Sequence, residues 1–355
     1  MFEAHKQVTI YYTLLTIFVL GISLLFISQP RMIKAQSSRI VSFLALFCVL
    51  FIGWRDWRVG EVFVDSVVYG EGYLDFAYRR MEDAKDVGFY ILQKICTSFG
   101  LSVNAFFITC AALYVVPQVI VAKRISKEYA FIIVLMIITA FQFYSFGVNC
   151  VRNGLAFSFM LLAFVNYKKK IPVIILAVIA ISFHRSAVLP LLAYICARFY
   201  NKNIKVYLIA WLLSIPLSFI AKEYFTDFIL SIDFLSDRAD GYLLSEADKD
   251  LFSKVGFRYD FVLYSSAPII LGWYFLEIKK FENHFYRILY CTYLFANACW
   301  IVINTIPYSD RFAALSWFLM PLLLIYPFIF CSQVKSRYSK MVGMLIAQLC
   351  FMLIT

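Results

Sequence analysis

Arginines, one histidine and an aspartate–tyrosine pair stand where the long apolar runs of this chain break, and these are the residues equipped for chemistry. From Phe141 to Ser186 the sequence reads FQFYSFGVNCVRNGLAFSF, a further apolar run, KKK, and IPVIILAVIAISFHRS. Arg152, His184 and Arg185 sit where apolar segments meet, while Lys168, Lys169 and Lys170 mark the opposite side. A guanidinium holds its charge and offers a rigid fork that grips a phosphate through two parallel hydrogen bonds. An imidazole accepts and returns a proton near neutral pH. Charge within hydrocarbon is costly, so ionisable residues there are candidates for a site.

Five arginines share this placement: Arg55, Arg152, Arg185, Arg258 and Arg311 each fall at the end of an apolar segment. Forks gathered at one depth make a basic mouth suited to a diphosphate or another anion. The alternative is that each snorkels to the interface or pairs with a nearby acid. Asn149, Arg152 and Asn153 stand at helical spacing and can share one face of a helix. Gly147 and Gly154 on either side allow a chain or a ligand to approach closely. Asp65 and Tyr69, four apart, form one face of a short helix. Either set also reads as a cap or a salt bridge, and His184 at a turn reads either as a proton-transfer group or as a hydrogen-bonded cap.

The elements that must position these groups follow from composition. Of 355 residues, 63% are hydrophobic and 15% charged, far more apolar than a soluble domain. Uncharged runs recur at lengths of about 20 residues, enough to cross a bilayer core. The expectation is an all-α, polytopic transmembrane protein, one integral membrane domain over 1–355 with about 12 spans. The expected spans are 8–28, 40–54, 102–122, 129–147, 152–167, 171–184, 186–199, 206–221, 259–277, 287–304, 311–330 and 341–355. Val8–Pro30 lacks a small-residue cleavage site and reads as a retained helix rather than a signal peptide.

Short loops between alternate spans carry three Lys or Arg each, as in Lys123/Arg124/Lys127 and Lys168–Lys170, and all six such loops share one parity. That side is the cytoplasm, which places both termini and all five arginines outside. Two longer segments of mixed charge, 55–101 and 222–258, fall on the outer, periplasmic side. Within the first, Val87, Phe89, Tyr90, Leu92 and Ile95 predict an amphipathic helix. The runs flanking His184 are short for a full crossing, about 20 Å against a core of about 30 Å, so unless Tyr167–Lys170 also lies deep the His184 turn falls below the outer interface, where it must face protein or a water-filled cavity. A net charge of +11 suits anionic membrane lipid and does not require nucleic acid. The nine cysteines form no CxxC pair and no Cys/His ligand spacing, so neither a metal site nor a disulfide framework is expected.

At these same residues the sequence resembles the EpsG family, which belongs with the Wzy-type polymerases of bacterial surface polysaccharide (O-antigen, capsule or exopolysaccharide). The resemblance is carried by GWRDWRVG at residues 53–60 followed by Asp65 and Tyr69, by VGFYIL from Val87, by NCVRNGLA around Arg152, by SFHRSA around His184 and by SDRF at Arg311. It implies a glycosyltransferase acting at the outer face of the inner membrane on oligosaccharide repeat units carried by undecaprenyl diphosphate. No nucleotide sugar, metal or other cofactor is implied, because the lipid diphosphate is already the leaving group. A chain-length regulator protein is an implied partner. Under this reading Arg152 and Arg311 meet the diphosphate, Arg55 and Arg258 support them, and His184 or Asp65 takes the proton of the attacking hydroxyl. Arg185, Asn149, Asn153 and Tyr69 complete the candidate substrate contacts.

Competing classes are a lipid-linked glycan flippase or transporter, a ligase using the same donor, and a membrane acyltransferase. A transporter of the inverted-repeat kind has matching broken helices in two halves. No internal repeat is visible, and the cations gather on one side. An acyltransferase accounts for a lone histidine but not for several arginines.

Overall fold

The computed structural model describes residues 2–78, 80–220, 256–305 and 309–354, and all regular structure among them is helical. Most of the expected outer segment 222–258, including its acidic centre, lies outside the described residues. The chain divides into two compact units, Met1–His184 with Phe328–Thr355, and Arg185–Pro327.

The first unit contains α1 (Phe2–Ser28), α2 (Pro30–Ala35), α3 (Ser37–Gly53), α4 (Val64–Leu74), α5 (Val87–Ser98), α6 (Val103–Ile125), α7 (Ala130–Ile138), α8 (Phe143–Val148), α9 (Val151–Val165) and α10 (Lys170–Phe183). The second contains α11 (Val188–Phe199), α12 (Ile204–Ile220), α13 (Tyr259–Trp273), α14 (His284–Val302) and α15 (Ser309–Trp317), and closes within α16 (Met320–Phe330). A last helix, α17 (Arg337–Ile354), returns to the first unit.

Among the described residues, five helical stretches are long and apolar enough to cross a bilayer: Ala4–Ser28, Val103–Ile125, Tyr259–Ile278, Arg311–Phe330 and Arg337–Ile354. Four shorter apolar helices are α3, α9, α10 and α12. In hydrocarbon a helix satisfies its own backbone polar groups, which is why uncharged runs of this composition fold this way. Inside the first unit α3 packs on α6, α6 on α9, and α9 on α10, with α5 laid against α10 and α1 against α17.

The expected continuous span 129–147 is broken. All nine residues of α7 are buried, as an all-round apolar helix requires, and the chain then turns through Thr139–Gln142 into the six-residue α8. The break is tolerated because distant side chains meet the freed carbonyls. Gln348 of α17 donates through Nε2 to the Met136 carbonyl, and also reaches Thr139 Oγ1 at 3.1 Å. The Tyr114 hydroxyl of α6 donates to the Phe143 carbonyl at 3.0 Å. At the far end of α8, the Val148 carbonyl accepts from Ser66 Oγ at 2.6 Å and from Arg55 Nη2 at 3.2 Å.

In the second unit α14 is the central helix, packed against α11, α12, α13 and α15. Its Asn297, fully buried, joins a polar network in an apolar surround. Trp211 Nε1 donates to Asn297 Oδ1 at 2.7 Å, and Asn297 Nδ2 donates to Ser316 Oγ at 2.9 Å and Ser265 Oγ at 3.2 Å. Trp317 Nε1 donates to the same Ser265 hydroxyl at 2.7 Å. Replacing Asn297 by leucine leaves the Trp211 indole N–H without its acceptor. The expected cost is about 1–3 kcal/mol, read as a lower thermal midpoint of the detergent-purified protein. An unchanged midpoint would show that the network contributes nothing to stability.

Candidate active site

The candidate site is assembled inside the first unit where α4, α5, α9 and α10 converge. The amphipathic helix expected near Val87 is α5, with Phe89, Leu92, Gln93 and Cys96 on its buried face. Asp86 is its N-cap residue, in extended backbone just before the first turn, where the helix dipole favours an anion. α9 brings Arg152 in its own first turn, where the same dipole disfavours a cation. His184 terminates α10 as its C-cap, its backbone N–H donating to Ala180 O at 3.1 Å.

One carboxylate oxygen ties these elements together. Arg152 Nη1 donates to Asp86 Oδ2 at 2.6 Å, and His184 Nδ1 lies 3.1 Å from the same atom. Asp86 and His184 are each 7% exposed, so both side chains are largely buried. A carboxylate on Nδ1 favours the tautomer with its proton there, which fixes the ring. The Arg152 guanidinium also stands 5.8 Å from the centre of the Tyr69 ring on α4, within cation–π range. Tyr69 in turn packs on Phe89 at 5.4 Å. Burial pushes the Tyr69 phenol upward, with Arg152 opposing, so its hydroxyl stays protonated at neutral pH.

A cavity of about 400 Å³ opens at this junction, and Arg152, Asp86, Arg80, Lys85 and Gln93 contribute its polar wall, with Phe89 and Tyr90 as rings. Among the described residues that line it, three are cations and one is an anion. Guanidinium and ammonium groups in a cavity wall suit an anionic ligand such as a phosphate.

α5 reaches this position because of Gly88. A Cβ there would lie 2.3 Å from Ser182 Oγ and 2.8 Å from the Ser182 carbonyl carbon on α10. Gly88→Val is therefore expected to push α5 off α10, pull Asp86 from His184, and lower activity at least tenfold while Gly88→Ala loses less. Function in cells containing equal amounts of each variant reads this; full function in Gly88→Val would show that the helix contact does not set the site.

The other sequence-derived candidates distribute as follows. Arg152, His184 and Tyr69 come together. Asp65 lies one turn before Tyr69 on α4, as their spacing predicts, near enough for its charge to act on the Tyr69 phenol. Asn149 does not share a helix with Arg152: it caps α8, the chain breaks at Cys150, and α9 begins at Val151, carrying Arg152 and Asn153. The close approaches at Gly147 and Gly154 are made by protein, to the Ile52 side chain and to the Phe146 carbonyl with the Tyr114 ring. Arg55 is 2% exposed and committed to its neighbours, donating to Ser66 Oγ at 2.8 Å, Ile52 O at 2.6 Å and Val148 O, over the Phe107 ring at 4.0 Å. Arg185, Arg258 and Arg311 belong to the second unit. There Arg258 pairs with Asp260 through both Nε and Nη2, at 2.9 and 2.7 Å, and lies 3.6 Å from the centre of the Phe261 ring.

Asp86, Arg80, Lys85 and Gln93 are the cavity residues that the sequence pattern did not single out. Asp86 carried one available signal, its place as the acid directly preceding VGFYIL.

The match to known proteins is at the level of family. The EpsG family model matches residues 38–355, which includes every residue of the cavity. This chain belongs to the EpsG family. The usual role of that family is Wzy-like polysaccharide polymerisation, so the cavity belongs to a polymerase-type membrane protein. No curated protein and no solved structure matches the chain.

Proposed function

We propose that this EpsG-family protein is a membrane glycosyltransferase that polymerises oligosaccharide repeat units linked to undecaprenyl diphosphate, at the outer face of the inner membrane. The observation that carries the reading is the buried Asp86 carboxylate, bound by Arg152 and His184, in the wall of a cavity rich in cations.

The donor's diphosphate lies against Arg152, Arg80 and Lys85. A sugar hydroxyl of the second unit attacks the donor's anomeric carbon, a new C–O bond forms, and the bond to the diphosphate oxygen breaks. The electron pair leaves with the diphosphate, whose growing charge the fixed cations stabilise by several kcal/mol, about 3–4 per well-placed donor. The hydroxyl proton passes to the Asp86–His184 pair. Asp86 is the member that lines the cavity and takes the proton, and His184, donating through Nδ1, holds the carboxylate in place. Arg152 thus has two duties, toward the leaving group and toward the base. Only residues of the first unit are needed, and a chain-length regulator is the partner to be sought.

The test is glycan length in cells lacking the gene and complemented with wild type or Arg152→Ala. Ladders with wild type and single-repeat glycan with the variant are expected. Loss of even the single repeat at the surface would indicate export or ligation instead, and full ladders with the variant would remove Arg152 from the site.

A further inference from the structure

Gln93 is a polar group of the cavity that this chemistry does not use. It lies two turns after Asp86 on α5 and one turn after Phe89, with its side chain only 2% exposed. It lines the cavity, yet its amide nitrogen is buried without a hydrogen-bond partner among the described residues. Protein interiors seldom leave such a donor unmet, since its desolvation is not returned. A half-turn about the last torsion exchanges the two ends of the amide at little cost, so the head group can offer either N–H or carbonyl oxygen to a ligand.

Its surroundings define what that ligand is. Arg80, Lys85 and Arg152 supply charge for an anion, whereas Gln93 is neutral and does not titrate at any physiological pH. Phe89 and Tyr90 supply flat apolar faces beside it. A ligand that uses all of these has a charged part for the cations and a neutral, oxygen-bearing part with a C–H face for the amide and rings. A sugar joined to a diphosphate has both parts.

Resting on the function proposed above, we infer that Gln93 is a specificity-determining residue that hydrogen-bonds a neutral oxygen, a hydroxyl or an acetamido carbonyl, of the sugar attached to the diphosphate. It takes no part in proton transfer. Gln93 therefore distinguishes the sugar-bearing lipid diphosphate from the bare lipid diphosphate left after transfer, which favours release of that product.

The experiment is calorimetric titration of the purified full-length protein in detergent. Three probes are used: a short polyprenyl diphosphate, the same carrying glucose, and the same carrying N-acetylglucosamine. Gln93→Leu, which keeps volume and loses the amide, is expected to weaken at least one sugar-bearing probe about tenfold and leave the bare diphosphate unchanged. The probe that loses more tells whether hydroxyl or acetamido is read. Gln93→Met serves as the second variant if leucine impairs folding. Arg80→Gln with Lys85→Gln is expected to weaken all three probes together. Unchanged binding of every probe by the Gln93 variants overturns the inference, as does equal weakening of all three, which would place Gln93 on the diphosphate. Wild-type protein that binds none of the probes overturns the proposed function itself.

Discussion

Asp86→Asn is expected to lower polymerisation by about 10²–10⁴-fold in purified protein supplied with lipid-linked repeats, with little change in folded yield. The substitution keeps size and shape and removes the charge. It takes away the proposed proton acceptor and, at the same time, the anion that holds Arg152 at 2.6 Å and fixes the His184 ring at 3.1 Å. Arg152, left in the first turn of α9 without Asp86 as counter-ion, then has no reason to hold its fork where the leaving group is proposed to lie. Asp86→Glu restores the charge at a longer reach and is expected to recover part of the rate. Arg152→Lys keeps the charge but loses the fork, and should fall between wild type and Arg152→Ala. Wild-type turnover by Asp86→Asn would remove the carboxylate from the mechanism.

Arg55→Met is expected to act through stability instead, at about 2–4 kcal/mol. Arg55 carries a buried charge with no carboxylate beside it in its hydrogen-bond set; carbonyls, a hydroxyl and an aromatic face satisfy it. Methionine fills much of the volume, but Ile52 O at the end of α3 loses its donor, and the clamp from α3 to the end of α8 is gone. α8 leads directly into α9, so the junction that presents Arg152 loosens with it. Thermal unfolding in detergent should show the lower midpoint, and turnover per folded molecule should stay within a few-fold of wild type. The reverse pattern, an unchanged midpoint with turnover lost, would return Arg55 to the substrate-contact residues. Asp86 and Arg55 thus separate experimentally: the first change is expected to spare the fold and stop the reaction, the second to weaken the fold and spare the reaction.

The contrast between Arg55 and Arg152 also marks what was legible in the chain. Arg55 and Arg152 are the same residue type at the same kind of position, the edge of an apolar run. Nothing local says that one will be consumed by carbonyls while the other meets a carboxylate. Asn149 shows a related limit, since spacing places it on the Arg152 face only if the helix continues, and it stops. The continuous span expected over 129–147 failed for the same reason. Its break depends on Gln348, some two hundred positions away in the chain, meeting a carbonyl that a lone helix would have bonded itself.

By itself the sequence determined the helical, membrane-bound character, because in hydrocarbon an uncharged run has to close its own backbone hydrogen bonds. It likewise marked the amphipathic α5, whose apolar period is local, and picked out Arg152 and His184, because charge and imidazole are conspicuous against apolar neighbours. The tertiary structure decided which acid they share. Asp86 is one of eight acidic residues between Asp56 and Asp86, and its partners lie 66 and 98 positions away. A salt bridge between residues so distant in the chain has no local signature; it exists because Gly88 lets α5 touch α10 and because α9 presents its first turn to the same point. Local physics sets the elements, and the packing between them chooses which charges meet.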